Sequence, residues 1–385
     1  MGELARFPDP DRIMGCLLGG AIGDALGAPI EGASLAEIRA EYGEDGLKEF
    51  SGTRVRKGAI TDETQLTLLT AEALVQASVR ARTRGIGGAA TGLLQWAYLR
   101  WLSAQDEQPP GQGPVGAGGR LSAQPEMHAR RGPGRTTLSA LRKAADRGQP
   151  GNPLGTIEEP INDSKGCGGV IRAAPAGFGF SPLVPEGIPG CREAAFRTGC
   201  AAAALTHGHP SGYLPAGVLA AGVWGLLRGA DLPDALESAR AELETHRGHD
   251  ETSRALDAAT ALAAAGPPTP ERLETLGGGW VGEEALAIGV CAALTSTEPE
   301  TVPTALRSAV NHSGDSDSTG SICGNLLGTR HGTAGLPGHW QSGVELRRTI
   351  IQIAADAALE FGPNPPTEPG WYGAPMSWLF EYPEA

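Results

Sequence analysis

Apolar positions recur three and four residues apart along almost the whole chain, and period-two alternation is scarce. That pattern predicts helices throughout and very little strand. Residues 12–26 form a small-residue helix in which Gly15, Gly19 and Gly23 share a face and permit close helix packing. Residues 62–79 place Leu66, Leu69 and Leu74 on one side, with Asp62 as N-cap and Gln65 three residues on in a capping-box arrangement. Further helices are predicted near 89–103, 137–147, 192–206, 213–228, 232–247, 251–265, 281–295, 301–311, 319–328 and 345–360. Alanine runs at 201–204 and 263–265 add helix propensity. The expected fold class is all-α: one compact helical domain over residues 1–385, without repeats or a domain linker. Residues 104–136, 148–169, 266–280 and 328–342 read as long loops, which in a compact helical protein tend to carry function.

Composition narrows the function. With 57 glycines and 30 prolines the chain stays just below the range of low-complexity sequences, and 40% hydrophobic with 19% charged residues is a globular balance. A net charge of −13, without a lysine or arginine block longer than two, argues against nucleic acid as the main ligand. Cysteines 16, 167, 191, 200, 291 and 323 form no CxxC pair, so free thiols in a reducing, cytoplasmic setting are expected, and zinc is not. The apolar stretch 14–28 contains Asp24 and is too short to span a bilayer, so no membrane association is expected. No exposed apolar stripe is evident, and a monomer is expected.

Candidate chemistry lies in a few short motifs. Thr61-Asp62-Glu63-Thr64 sets two carboxylates and hydroxyls at a helix start, where the helix dipole favours negative charge. The simpler alternative is capping alone. Asp315-Ser316-Asp317-Ser318 opens like an EF-hand loop, but its twelfth position is Leu326, which rules that motif out. Asp-x-Asp beside hydroxyls remains a good oxygen set for Mg²⁺ or Mn²⁺, and two such clusters can meet to hold a pair of hard cations. Glu31 sits in a loop after the first helix, where a solvated surface acid is the plain alternative. Ser164-Lys165-Gly166-Cys167-Gly168-Gly169 offers backbone N–H groups to an anion, although it lacks the spacing of a Walker A loop. In Thr206-His207-Gly208-His209 the histidines suit ligand hydrogen bonding or helix capping better than zinc binding. Trp280 follows three glycines, either as an aromatic lid or as a packing residue at a helix start.

Together, in chain order, these segments resemble the ADP-ribosylglycohydrolase family. The resemblance runs from about residue 12 to 330 and is carried by 15–27 (GCLLGGAIGDALG), Thr61-Asp62-Glu63-Thr64, Thr206-His207 and Gly314-Asp315-Ser316-Asp317-Ser318. It implies an all-helical fold and two Mg²⁺ or Mn²⁺ ions held by Thr61, Asp62, Glu63, Asp315, Asp317 and Ser318. It also implies Glu31, Asp62 and Asp315 as the catalytic acids. Ser164, Gly166, Cys167, Gly168 and Gly169 match the stretch that holds the diphosphate, His207 matches a histidine near the phosphates and adenosine ribose, and Trp280 would join the substrate contacts. Two positions depart from the family pattern: Glu63 stands where aspartate is usual, and Ser318 where threonine is common.

The implied reaction is hydrolysis of the bond between ADP-ribose and a protein side chain, through an oxocarbenium-like transition state. The substrate would be an ADP-ribosylated protein, arginine-linked as first expectation, and the product free ADP-ribose. Serine-linked or O-acetyl ADP-ribose is the enzymatic alternative. A non-catalytic ADP-ribose-binding or crystallin-like role is the alternative of a different class.

Overall fold

Glycines spaced by four on two helices distant in sequence decide how the chain closes. The computed structural model describes residues 7–85, 87–105, 119–146, 153–180, 191–368 and 373–382. Among them are sixteen α-helices. They are α1 Pro10–Gly27, α2 Leu35–Tyr42, α3 Asp62–Arg84, α4 Ala90–Gln105, α5 Arg135–Asp146, α6 Arg192–Ala204, α7 Pro210–Leu227 and α8 Leu232–Leu243. They continue with α9 Asp250–Ala264, α10 Pro270–Leu273, α11 Gly282–Leu294, α12 Val302–Val310, α13 Ser316–His331, α14 Gly338–Gly343, α15 Arg347–Phe361 and α16 Met376–Glu381. No β-strand occurs among the described residues, and one isolated bridge joins Gly166 to Val281. The all-α expectation holds.

The closest packing joins α1 to α13. Gly15 lies on Gly328, Gly19 on Gly324 and Gly23 on Gly320, while Gly27 meets Ser316 and Asp317. The pairing runs antiparallel, so the C-terminal end of α1 meets the N-terminal end of α13. A Cβ at Gly19 would fall on the carbonyl oxygen of Gly324, and one at Gly23 on that of Gly320. Only hydrogen at Cα allows the backbones this near. Around the pair, α11 packs against α13 and α9, α7 lies between α6 and α8, and α3 lies between α4 and α15. Nearly every residue of α3 and α7 is buried, which places the core on both sides of the glycine seam.

Several boundaries differ from the sequence reading, each for a physical reason. α13 begins at Ser316 rather than 319 and runs to His331, because the Asp315 side chain caps it by accepting from the Ser318 N–H. The expected loop 328–342 therefore carries the end of α13 and most of α14. Thr61, and not Asp62, is the N-cap of α3. Gln65 does not complete a capping box: its amide donates to the Glu126 and Ala129 carbonyls, and its Oε1 accepts from Trp101. The reciprocal box is found instead at Ser34 and Glu37, which open α2, a helix too short for its periodicity to stand out. Two 3-10 turns, Arg120–Ala123 and Pro125–His128, and the short α10 punctuate other expected loops. Part of the expected 104–136 and 148–169 loops lies outside the described residues.

The C-terminal segment is pinned by buried charge. Glu360 pairs with Arg82, both fully buried, and accepts from Ser78 and the Trp378 indole. Asp356 pairs with Arg120 and accepts from Tyr382.

The glycine seam predicts an asymmetric response to a single methyl group. Gly324→Ala puts Cβ on the Gly19 carbonyl and is expected to lower stability by about 1–3 kcal/mol or more, read as a fall in the urea midpoint. Gly222→Ala, in α7 with only ordinary contacts around the new methyl, is expected to be neutral or stabilising by up to about 1 kcal/mol. Equal effects would contradict the backbone contact.

Candidate active site

Two helix N-termini and one helix C-terminus converge on a single cluster of carboxylates. α1 brings Asp24 to its end, α3 opens with Asp62 and Glu63, and α13 opens with Asp317 after the capping Asp315. The N-terminal peptide groups of α3 and α13 make the spot favourable for negative charge. Asp24, fully buried, organises the first motif. Its carboxylate accepts from the Thr61 N–H at 3.0 and 3.1 Å, from the Thr61 hydroxyl at 2.9 Å, and from the N–H and hydroxyl of Thr64. Glu63 bridges the two motifs, taking the Ser318 hydroxyl at 3.1 Å on Oε1 and facing the Thr61 hydroxyl with Oε2. Carboxylate oxygens of Asp24, Glu63 and Asp317 lie within 4.8 Å of one another, as do those of Glu31, Asp315 and Asp317. Of the sequence-predicted acids, Glu31, Glu63, Asp315 and Asp317 therefore fall in these groups, with Asp317 common to both, whereas Asp62 is in neither and accepts from the Gly134 N–H at 3.4 Å.

Such crowding is electrostatically adverse. Burial, then repulsion from Asp24, Asp315 and Glu31, raises Asp62 well above the usual carboxylate range. Burial and the charges of Asp62, Asp24 and Asp315 do the same to Glu63. Asp317 is raised by burial and then by Glu63 and Asp315. Burial pushes Asp24 up to about 6, its hydrogen bonds holding the shift down. Glu31 stands on an exposed turn, but its carboxyl faces the cluster. Loss of water on that side, then the Asp315 charge, pushes it up to about 7. The single proton of the Thr61 hydroxyl faces both Asp24 and Glu63, so it cannot satisfy both. A set of oxygens in this state is stabilised by protons or by cations.

The other predicted residues form the adjoining wall. Ser164 accepts the Gly166 N–H at 3.2 Å and donates to Thr136 at 3.3 Å. The Cys167 thiol donates to Asp315 at 2.9 Å, joining the glycine loop to the acids. Gly166 and Gly168 lie against the His207 ring, where a Cβ would come within 3.1 Å of it, whereas Gly169 is buried against Ala203. His207 is buried, and its Nδ1 meets the Thr206 hydroxyl at 2.8 Å. Burial, aided by the nearby Arg172 guanidinium, lowers it to about 3, so the ring is neutral at pH 7. His209 caps α7. Trp280 is half exposed: its carbonyl accepts from the Cys167 N–H, and its indole edge extends toward Gly32, next to Glu31. The turns are tied together, since Gly32 N–H donates to Gly314 and Asp315 N–H to Gly278.

Sequence reasoning quoted Asp24 and Thr64 within motifs but gave neither a role in the site, nor the loop behind Asp62. A lone acid inside an apolar helix was the available signal for Asp24. Arg131 could not be foreseen: its carbonyl accepts the Asp62 N–H, and its guanidinium reaches buried Glu345.

The model of the ADP-ribosylglycohydrolase family matches residues 6–366, nearly the whole chain. The chain belongs to the ADP-ribosylglycohydrolase family. It is 25% identical over 366 residues to the ADP-ribosyl-[dinitrogen reductase] glycohydrolase of Rhodospirillum rubrum, spanning 91% of this chain and 98% of that one. A shorter likeness, 40% over 68 residues, links 17% of the chain to 22% of an uncharacterized protein of Archaeoglobus fulgidus. Among solved structures, an ADP-ribosylglycohydrolase-related protein complex shares the fold, with a TM-score of 0.61 and 24% identity over 90% of this chain and 96% of that one. The protein is thus an enzyme of the glycohydrolase class. No helix among the described residues is long and apolar enough to cross a membrane.

His207 gives this glycohydrolase a testable pH signature. Folded, the ring has a pKa of about 3, against 6.5 for the free side chain. Between these values the unfolded chain binds the proton and the folded one does not, so this residue's contribution to stability falls as pH falls below about 6.5. In urea unfolding at pH 7.5, 6 and 5, wild type is expected to lose ground to His207→Gln by up to about 1.4 kcal/mol per pH unit. A difference that does not change with pH would mean that the ring titrates in the native state as it does in the unfolded chain.

Proposed function

We propose that this glycohydrolase removes ADP-ribose from arginine side chains of modified proteins and depends on two divalent cations, Mg²⁺ or Mn²⁺. The observation that carries this reading is the convergence of Asp24, Glu31, Asp62, Glu63, Asp315 and Asp317 in one cluster. Most of these acids are buried, and several are held above their ordinary pKa by that burial and then by one another's charge. An all-oxygen donor set with this excess of negative charge suits hard divalent cations. The proposed ligands are Thr61, Asp62, Glu63, Asp315, Asp317 and Ser318. Asp24 has both oxygens engaged by Thr61 and Thr64 and is better described as a positioning residue. The extra methylene of Glu63 supports its place in the set, because its carboxylate spans from α3 to the Ser318 hydroxyl on α13.

When bound, the cations would grip the hydroxyls of the distal ribose and help to ionise water at neutral pH. The rest falls to the chain's own groups. Asp62 and Asp315 would orient the sugar and the attacking water. Glu31, on the exposed rim yet facing Asp315 and Asp317, is placed to exchange a proton with the leaving group. Ser164, Gly166, Cys167, Gly168 and Gly169 would cradle the diphosphate, with neutral His207 and Trp280 beside them. An acidic mouth favours a guanidinium leaving group over a neutral serine hydroxyl or acetyl ester. The dinitrogen reductase glycohydrolase, by its name, acts on a protein, which favours a protein substrate here too. The whole chain, residues 1–385, would form one catalytic domain.

The test is release of ADP-ribose from ADP-ribosylarginine with Mg²⁺ or Mn²⁺, repeated with a chelator. Asp317→Asn is expected to lose at least about a hundredfold in turnover with an unchanged circular dichroism spectrum. Release that survives both the chelator and the substitution would sink the metal assignment. Binding without release from the arginine compound, but with release from serine-linked or O-acetyl ADP-ribose, would move the linkage. Binding without turnover on any of them would leave an ADP-ribose-binding protein.

A further inference from the structure

Glu345 gathers positive charge beside the acidic pocket. Its buried carboxylate pairs with Arg56 and with Arg131 and accepts the Ile60 N–H at 3.1 Å, one residue before the Thr61 motif. Its own N–H donates to Gly58, and Arg131 also reaches the Ile60 carbonyl at 3.4 Å. Three surface segments meet here, and each is free of acids apart from Glu345. Residues 52–58 carry Arg54, Arg56 and Lys57, residues 127–135 carry Arg130, Arg131 and Arg135, and Arg347 and Arg348 follow Glu345. In a chain with 44 acids and 31 bases, three adjoining acid-poor segments are a marked local reversal of charge.

Next to this hub lies a cavity of about 440 Å³, lined by Gln124, Glu126, Ser342, Leu346, Arg347 and Arg348, among others. Arg347 and Arg348 are exposed, and among the described residues neither they nor Lys57 has a carboxylate partner. Gly132, in the middle segment, lies near the carboxyls of both Asp62 and Glu31, so this segment joins the basic rim to the acidic cluster.

We propose that this rim docks an acidic surface of the ADP-ribosylated protein, setting the enzyme's preference among protein substrates. The inference rests on the reading of the chain as a hydrolase of protein-linked ADP-ribose. Charge complementarity carries it. A body of net charge −13 repels acidic proteins in general, and on this face the unpaired cations Lys57, Arg347 and Arg348 outnumber the one carboxylate that lines the cavity, Glu126. A guanidinium-linked ADP-ribose enters the acidic pocket while the acidic flank of its carrier settles on Lys57, Arg347 and Arg348.

The test uses two peptides of equal length bearing one ADP-ribosylarginine, flanked by aspartates or by lysines, with free ADP-ribosylarginine as reference. Fluorescence anisotropy on the same peptides without the modification measures docking alone. At low salt the aspartate peptide is expected to show a KM about tenfold below that of the lysine peptide, with the gap closing near 0.5 M NaCl. Arg347→Glu with Arg348→Glu, and separately Lys57→Glu, should remove the preference while leaving kcat/KM for free ADP-ribosylarginine within about twofold. No preference, or an equal loss on free ADP-ribosylarginine, would overturn the proposal, the second result meaning that these arginines serve the nucleotide itself. A single-stranded oligonucleotide binding as tightly as the aspartate peptide would overturn it in favour of a nucleic-acid surface. If none of the compounds is hydrolysed, the substrate reading fails, and the anisotropy comparison still decides whether the rim selects acidic peptides.

Discussion

The backbone contact between α1 and α13 is the constraint on which the rest depends. Hydrogen at Cα on Gly15, Gly19, Gly23 and Gly27 lets two helices from opposite ends of the chain touch main chain to main chain. Because the packing is antiparallel and in four-residue register, the last turn of one helix is set against the first turn of the other. Asp24 is thereby carried to the Asp315–Ser318 motif, and through its bonds to Thr61 and Thr64 it draws the start of α3 to the same place. A single well-packed seam assembles three segments of the pocket, so the site inherits the rigidity of the core.

The pocket is built against electrostatic preference. Burial, and then repulsion between neighbouring carboxylates, raises the pKa values of Glu63 and Asp317, and hydroxyls and peptide N–H groups compensate only in part. Folding energy from the seam and from buried pairs such as Arg82–Glu360 has to hold this arrangement together. Strain of this kind fits a site whose charge is completed by a ligand. The surrounding groups are sorted by sign: acids inside the mouth, a neutral histidine on the glycine-loop wall, and the Glu345-centred cations on the rim.

Much of this was legible in the residues. Helical periodicity is a local property, and it showed the all-α class and most of the helices. The glycine spacing on α1 announced close packing, and the order of short motifs announced the family. The Thr61–Glu63 and Asp315–Ser318 clusters were visible because their acids and hydroxyls sit close together in sequence.

Contacts between distant residues were not legible, because no local pattern encodes them. Gln65 matched a capping box, yet Glu126, Ala129 and Trp101 compete for its amide, and only the folded chain shows that they win. Which helix lies on the glycines of α1, that Asp24 orients Thr61, and that Glu345 collects Arg56 and Arg131 from segments more than 200 residues away are all results of packing. The sequence by itself determined the kind of elements and the chemistry they carry, since backbone propensity and side-chain type act within a few residues. The tertiary structure alone decided which charges face one another, since Coulomb and hydrogen-bond energies depend on distance through space and not along the chain.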